Sequence, residues 1–155
     1  MVEINIKVLE SFDTSLIDLI KKLEKENLGS AAAINEWQIP VIIRYGKFII
    51  AQIKNTGEIA GVCEILREWK EKKIAFIHSF YVAKKFRLQG IGKQLLTSVI
   101  DILKKEKFES VELTVDIKNK PAVNFYMDFG FAVREIRKNE YGKGINRNLM
   151  FLNLK

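Results

Sequence analysis

A short segment with two glycines is the part of the sequence whose residue types point most directly to binding chemistry. It lies between the end of a predicted strand and the start of a predicted amphipathic helix. The N-terminus of a helix has unpaired backbone N–H groups and carries about half a positive charge, so it attracts phosphate. We therefore predict an anion-binding loop formed by Arg87, Leu88, Gln89, Gly90, Ile91, Gly92 and Lys93.

Two common phosphate-binding motifs do not fit this loop. In the dinucleotide-binding fingerprint, Gly90 and Gly92 supply the first two glycines, but Leu95 occupies the third position, where close helix–strand packing requires Gly or Ala. In the P-loop, Lys93 would be the lysine, but Gln94 follows it where the motif has Ser or Thr. The sequence therefore excludes both motifs.

Further motifs lie on either side of the loop. Residues 78–82 read HSFYV, residues 119–126 read NKPAVNFY, and residues 129–131 read FGF. Together with the loop, these segments resemble the Arg/Gln-x-x-Gly-x-Gly/Ala loop, the central strand and the later helix of the GCN5-related N-acetyltransferase (GNAT) family. The resemblance extends over roughly residues 47–136.

The resemblance implies an enzyme that moves the acetyl group of its cosubstrate, acetyl-CoA, to a primary amine by direct attack in a ternary complex. The amine belongs to a small molecule or to a protein. The loop is expected to hold the diphosphate of the coenzyme. Backbone groups of Phe80, Tyr81 and Val82 are expected to bond the pantetheine arm. Asn119 matches an asparagine that lies near the coenzyme in this family.

Tyr126 is the residue that the resemblance assigns to the acid step. Direct transfer needs a neutral amine, a well-placed thioester carbonyl, a donor for the oxyanion and a proton for the leaving thiolate. A phenol with a pKa of about 10 can give that proton to a thiolate of similar basicity. By analogy with the family, the backbone N–H of Val82 is the oxyanion donor. The structural alternative for Tyr126 is packing in the core.

The general base stays open between two side chains and solvent. Many members of the family have a carboxylate on the central strand where this chain has His78 or Ser79. His78 can take its place, because an imidazole with a pKa of about 6.5 is partly neutral near pH 7. Glu64, on the adjacent strand, is the second candidate, and a chain of waters is the third route. The structural alternatives are a packed histidine and an exposed strand carboxylate.

The loop and the motif residues need helices and strands that position them. Helical spacing of apolar residues predicts a first helix from the cap candidates at 13–15 to Gly29, and a short second helix over 31–37 that ends before Pro40. The same periodicities predict strands at 47–53, 58–66, 74–82, 111–117, 131–136 and 149–154, and helices at 91–105 and 121–130.

The order of these elements predicts the fold class. The first three of these strands are joined by short turns and are expected to be antiparallel, whereas the helix at 91–105 allows a right-handed crossover to a parallel strand. We therefore expect one α/β (α+β) domain over residues 1–155, with a mixed, mostly antiparallel sheet and helices on both faces. The resemblance adds that the parallel central strands splay apart.

Composition excludes several other classes of protein. The 155 residues are 48% hydrophobic and 29% charged, which is the balance of a globular chain. A single cysteine, Cys63, and a single histidine exclude an internal disulfide and a Cys/His zinc cluster, and no metal is expected. The excess of 26 basic over 19 acidic residues favours anionic ligands. The lysines stand mostly beside glutamates, so a nucleic-acid surface is not expected.

The ends of the chain and its acidic residues bear on location and partners. Residues 1–10 alternate apolar and charged residues, and no apolar run is long enough to span a membrane, so we expect a cytoplasmic protein without a membrane partner. A last strand that ends at Lys155 allows pairing in a homodimer. Glu24, Glu26 and Glu36 are expected to be solvated helix residues, and the alternative is that they favour a cationic acceptor.

The alternative function is a catalytically silent acetyl-CoA-binding sensor or regulatory domain.

Overall fold

The computed structural model describes residues 1–155, which form seven strands and four helices. In chain order the elements are β1 (Ile4–Leu9), α1 (Thr14–Leu28), α2 (Gln38–Tyr45), β2 (Lys47–Ile53), β3 (Ile59–Arg67), β4 (Ile74–Val82), a 3-10 turn (Lys84–Phe86), α3 (Ile91–Lys105), β5 (Ser110–Asp116), α4 (Lys120–Asp128), β6 (Ala132–Arg137) and β7 (Arg147–Asn153). No helix combines the length and the apolar character that a membrane crossing requires.

The strands pair in the order β1-β2-β3-β4-β5-β7-β6. The β1–β2, β2–β3, β5–β7 and β6–β7 pairs are antiparallel. β4 and β5 are parallel, and their register runs from Ile74 opposite Ser110 to Ile77 opposite Leu113. The predicted fold class is therefore confirmed as a mixed, mostly antiparallel sheet with a splayed parallel pair and flanking helices.

The chain divides into two compact units. Unit 1 comprises Met1–Leu66 and Ser79–Ile102, and unit 2 comprises Arg67–His78 and Leu103–Lys155. Unit 1 contains the glycine loop and the C-terminal end of β4, whereas unit 2 contains α4 and the strands β5 to β7. The expectation of one domain over residues 1–155 stays a prediction.

Helices pack on both sheet faces within unit 1. On one face, α1 and α2 cover a core in which each fully buried aliphatic side chain contributes about 1.5–3 kcal/mol. On the other face lies α3, because a Cβ atom on Gly61 would stand only 3.1 Å from Leu95 Cδ2. The α1–α2 core comprises Ile20, Ile34, Ile39, Ile42, Ile43, Phe48, Ile50, Ile59, Val62 and Tyr81.

Helix α1 begins and ends where the sequence predicts. Asp13 Oδ1 accepts a hydrogen bond from Leu16 N at 2.8 Å, and Gly29 ends the helix with a φ of 78°. Ile20 is fully buried, and Glu24, one turn later, is fully buried as well. The helix therefore places a carboxyl group inside the core of unit 1.

The second helix lies later in the chain than predicted. Residues 31–37 form no helix, and Pro40 stands in the first turn of α2 instead of ending a helix. Proline is tolerated there because the N–H groups of a first helical turn have no partner within the helix. Asn35 Oδ1 accepts a hydrogen bond from Gln38 N at 3.3 Å. That contact helps to set the start of α2.

The structure adds one strand to the prediction and places the last strand between two others. β1 is absent from the prediction, although it pairs with β2 along its length, from Ile4 opposite Ile53 to Leu9 opposite Phe48. The last strand, β7, has β5 on one side and β6 on the other. It is therefore not an edge strand open to a second subunit. The expected route to a homodimer through the last strand is wrong, and the homodimer itself stays a prediction.

Gly46 occupies a position where the fold has no room for a side chain. A Cβ atom there would lie 2.4 Å from Ile65 O and 3.1 Å from Ile42 O, which are both backbone atoms. We expect Gly46→Ala to lower the free energy of unfolding by about 1–3 kcal/mol, measured by urea denaturation. Tyr45→Ala changes the exposed neighbour and should stay within about 0.5 kcal/mol of the parent. Equal stability of the two variants would contradict the close backbone packing.

Candidate active site

The predicted anion-binding loop lies at the N-terminus of α3. Gly90 O accepts a hydrogen bond from Gln94 N at 3.1 Å, so the helix starts directly after Gly90. The N–H groups of its first turn, including those of Gly92 and Lys93, have no carbonyl partner within the helix. Leu88 and Gly90 have φ values of 60° and 76°, and left-handed residues of this kind help to form anion-binding concavities of backbone N–H groups. The segment therefore has backbone geometry that suits an anion.

Two of the predicted binding side chains hold the loop itself in place. Arg87 Nε donates to Val82 O at 3.0 Å, and Gln89 Nε2 donates to Lys85 O at 3.2 Å. Ile91 is 1% exposed and anchors the first turn of α3 in the core. The loop is therefore tied to the end of β4, to the 3-10 turn and to the core.

Phe80, Tyr81 and Val82 form the C-terminal end of β4. They follow Ile77, the last residue of β4 in the register with β5. Phe80 and Val82 are half-buried, whereas Tyr81 is 5% exposed and belongs to the α1–α2 core. The main chain of these three residues leads directly into the 3-10 turn and the loop.

A cluster of polar side chains lies buried under α1 in the same unit, and we call it the acidic cluster: Glu24, Glu64 and Tyr81. Both glutamates are fully buried. Glu24 Oε2 accepts a hydrogen bond from Ile34 N at 3.4 Å, whereas Glu24 Oε1 and Tyr81 Oη have no hydrogen-bond partner. The expectation that Glu24 is solvated is wrong. The spacing carried a signal, since Glu24 lies four residues after the buried Ile20 and so shares its helix face.

Burial changes the protonation of the acidic cluster. It raises the pKa of Glu64 to about 10, and the neighbouring Glu24 carboxyl adds to the rise. The pKa of the Tyr81 hydroxyl is also raised, first by burial and then by the charge of Glu24. An apolar core disfavours the charged form of each group. At pH 7 the carboxyl of Glu64 is therefore protonated, and a protonated carboxyl is a poor proton acceptor.

The remaining predicted site residues lie in unit 2. His78 is exposed on β4. Asn119 caps α4, because its Oδ1 accepts a hydrogen bond from a backbone N–H of the first turn at 3.2 Å. Tyr126 is 7% exposed, and its ring packs edge-on against Phe125 and Phe131 at centroid distances of 5.4 and 5.6 Å. Asn119 and Tyr126 therefore each have a structural role beside the role that the resemblance implies.

A cleft of about 430 Å³ opens in unit 1 between α1, the start of β3 and the 3-10 turn. At its edge, Asn27 Oδ1 accepts a hydrogen bond from Lys84 N at 3.0 Å and ties α1 to that turn. The lining mixes apolar side chains with both signs of charge, so it does not select one ligand charge. Its residues are Leu19, Lys22, Leu23, Glu26, Asn27, Glu58, Ile59, Ala83, Lys84 and Lys85.

Comparison with known proteins gives related N-acetyltransferases. A 93-residue region is 33% identical to an N-acetyltransferase of Methanocaldococcus jannaschii described as uncharacterised, covering 59% of this chain and 41% of that protein. A 101-residue region is 29% identical to N-alpha-acetyltransferase 50 of Danio rerio, covering 64% of this chain and 60% of that protein. The chain thus spans less than two thirds of the length of either relative.

The fold has close counterparts among solved structures. An acetyltransferase from Bacillus subtilis, solved in complex with CoA, superposes with a TM-score of 0.78 over 99% of this chain and 100% of that one, at 18% identity. The model of the acetyltransferase (GNAT) family matches residues 14–131, which include the loop and the Asn119–Tyr126 pattern. The expected enzyme class, acyltransferase, and the expected cosubstrate, acetyl-CoA, are confirmed at the level of this family. Since the match covers most of its length, the chain belongs to the acetyltransferase (GNAT) family.

Proposed function

We propose that this protein transfers the acetyl group of acetyl-CoA to a primary amine by direct attack within a ternary complex. The observation that carries the proposal is the loop at the start of α3, with its left-handed residues and the first-turn N–H groups, in a chain of an acetyltransferase family. The alternative, a silent acetyl-CoA sensor, would bind the coenzyme without turnover. A thiol-release assay run beside a binding measurement separates the two.

In this proposal the coenzyme is held mainly by backbone groups. The N–H groups from Leu88 to Lys93 bind the diphosphate, because the start of a helix offers free donors and a positive dipole end. Arg87 and Gln89 support this site indirectly, since their side chains fix the loop to the end of β4 and to the 3-10 turn. The main chain of residues 80–82 bonds the pantetheine arm, and Asn119 lies near the coenzyme.

The chemical step follows from the same assignment. The amine nitrogen attacks the thioester carbonyl, a C–N bond forms, and the N–H of Val82 stabilises the developing oxyanion. The C–S bond then breaks, and Tyr126 donates a proton to the departing thiolate. His78 or solvent takes the proton that the amine loses. Glu64 suits that task less well, because its carboxyl is already protonated at pH 7.

An α-amine at a protein N-terminus is the acceptor class that we propose to test first. The relative from Danio rerio is named an N-alpha-acetyltransferase, which supports this choice. An α-amine has a pKa of about 7.7–8.0, whereas a lysine side chain has one of about 10.4. A larger fraction of the α-amine is neutral near pH 7.5, so it demands less from a general base.

Replacing Gly90 tests the diphosphate site. Gly90 has a φ of 76°, which a β-branched residue adopts only with strain, so Gly90→Val should displace the N–H groups that follow it. We expect the affinity for CoA, measured by calorimetry, to fall tenfold or more, on the order of 1.4 kcal/mol. Gly144→Val is the matched control, because Gly144 has a φ of 80° in the connection between β6 and β7, which belongs to unit 2. Equal CoA affinities of the two variants would show that the loop is not part of the coenzyme site.

Replacing Tyr126 tests the acid. Tyr126→Phe keeps the ring that packs against Phe125 and Phe131 and removes the hydroxyl. If the hydroxyl protonates the thiolate, kcat should fall by roughly 10²-fold or more. Tyr45→Phe, at an exposed tyrosine of α2, is the control and should keep its rate. An undiminished kcat in Tyr126→Phe would reduce Tyr126 to a packing residue.

The pH profile distinguishes the candidate bases. Protonated imidazole accepts no proton, so kcat/KM should fall as the pH drops through about 6.5 if His78 is the base. His78→Gln should remove this limb, while the limb at about 8 that belongs to an α-amine acceptor stays. Glu64→Gln should keep both limbs. If kcat/KM of His78→Gln still falls as the pH drops through about 6.5, this histidine is not the general base.

A further inference from the structure

Asn27 lies in the last turn of α1, and its side chain contacts a segment that is remote in the sequence. Its Nδ2 donates to Leu23 O at 2.8 Å, and its Oδ1 accepts a hydrogen bond from Lys84 N at 3.0 Å. Both ends of one side-chain amide thus contact main-chain groups. Asn27 and Lys84 are 57 residues apart, so the fold, and not the local sequence, sets this contact. Asn27 therefore connects the end of α1 to the 3-10 turn.

The turn begins within a segment that holds the glycine loop, and we call residues 82–85 the anchor segment. Each of its four carbonyl oxygens accepts a hydrogen bond from a residue that follows it in the chain. In the order of the acceptors Val82, Ala83, Lys84 and Lys85, the donors are Arg87 Nε at 3.0 Å, Phe86 N at 2.8 Å, Arg87 N at 3.4 Å and Gln89 Nε2 at 3.2 Å. The direction of the loop therefore depends on how the anchor segment is held.

Two main-chain donors of the anchor segment bond to other parts of unit 1. Ala83 N donates to Ala60 O on β3 at 2.8 Å, and Lys84 N donates to Asn27 Oδ1. The first bond joins two main-chain groups, so it does not depend on the type of side chain. The second bond exists only because a side chain of α1 supplies the acceptor. Asn27 is therefore the side chain through which α1 restrains the anchor segment.

The cleft in unit 1 makes this hydrogen bond important. It opens between α1, the start of β3 and the turn, and both Asn27 and Lys84 line it. Because about 430 Å³ of space lies there, side chains do not fill the gap between α1 and the turn. Lys85 forms an ion pair with Glu58, but this pair joins the turn to the start of β3, and exposed pairs contribute little to stability. The bond from Lys84 N to Asn27 thus spans a gap that packing leaves open.

We propose that Asn27 is a positioning residue for acetyl-CoA, because its side chain holds the anchor segment and, through it, the loop whose N–H groups bind the diphosphate. The effect on the coenzyme rests on the proposed function, whereas the restraint on the anchor segment does not. A site that is already ordered binds more tightly, since less freedom is lost on binding. Asn27 itself touches neither substrate in this proposal. Its loss therefore weakens coenzyme binding and leaves the chemical step unchanged.

The first experiment measures amide hydrogen exchange in the absence of coenzyme. In Asn27→Leu the amide of Lys84 loses its acceptor, and exchange at Phe86 and Arg87, whose N–H groups bond to the anchor segment, should accelerate about fivefold. Asn27→Asp should restore protection, because a carboxylate accepts the same hydrogen bond. Asn5→Leu makes the matched change at an exposed residue of the edge strand β1 and should exchange like the parent. Unchanged exchange at Phe86 and Arg87 in Asn27→Leu would overturn the restraint.

The second experiment measures the Kd of CoA by calorimetry and the kinetics with acetyl-CoA and a short peptide that has a free α-amine. Asn27→Leu should raise the Kd of CoA and the KM for acetyl-CoA about fivefold, with kcat changed less than about twofold. Asn27→Asp should recover most of the affinity in about 0.3 M salt, which screens its added charge. Asn5→Leu should bind CoA like the parent. An unchanged Kd in Asn27→Leu, a fall in kcat alone, or no recovery in Asn27→Asp would refute the positioning role.

The two experiments separate this inference from the proposed function. A parent protein that binds CoA but acetylates no amine would bring down the proposed transfer, and the Kd of Asn27→Leu would still decide the positioning role. A parent protein that binds no CoA would refute the positioning role, and the exchange rates would still decide whether Asn27 restrains the anchor segment. If Asn27→Leu fails to fold, Asn27→Ala gives the same test, because alanine also lacks an acceptor and is favourable in a helix.

Discussion

The start of α3 can bind an anion only if its backbone N–H groups are held in a fixed direction, and three features of unit 1 hold them so. The buried stripe of Ile91, Leu95 and Val99 fixes the axis of the helix against the sheet. Gly61 lets Leu95 approach β3 closely, within the space that a side chain would fill. Arg87 then ties the loop to the end of β4. In the proposed coenzyme site, the direction of the main-chain donors therefore depends on the packing of ordinary apolar residues.

Two opposite uses of burial meet in the same unit. Aliphatic side chains stabilise the α1–α2 core, whereas burial of the carboxyl groups of the acidic cluster offsets part of that stabilisation, because carboxyl groups are more stable in water. Such a loss is significant, because the net stability of a domain is a small difference between large terms. The carboxyl of Glu64 is consequently protonated at neutral pH. Its position on the strand next to β4 suggested a role as the general base, but its burial makes it unsuited to that role.

Local signals in the sequence were sufficient for most of the fold and for the location of the loop. The cap at Asp13, the apolar stripe of α3 and the glycines at 90 and 92 each depend on neighbours in the chain, and the structure has the corresponding elements there. The errors have non-local causes. Pro40 is compatible with α2 because of its place in the first turn. The burial of Glu24 depends on what α1 packs against. The spacing showed only that Glu24 shares a helix face with Ile20.

The chemistry of the acceptor and the protonation of the core constrain each other. A carboxylate base is needed most when the amine is strongly basic, as in a lysine side chain, and least when the amine is partly neutral at working pH. This chain has histidine and serine where many family members have a carboxylate, and its nearest buried glutamate keeps its proton. Both features are compatible with an acceptor amine of low basicity whose proton is taken by a weak base or by solvent. In the proposed reaction, part of such an acceptor is already neutral at working pH, so a strong base on the protein is not required.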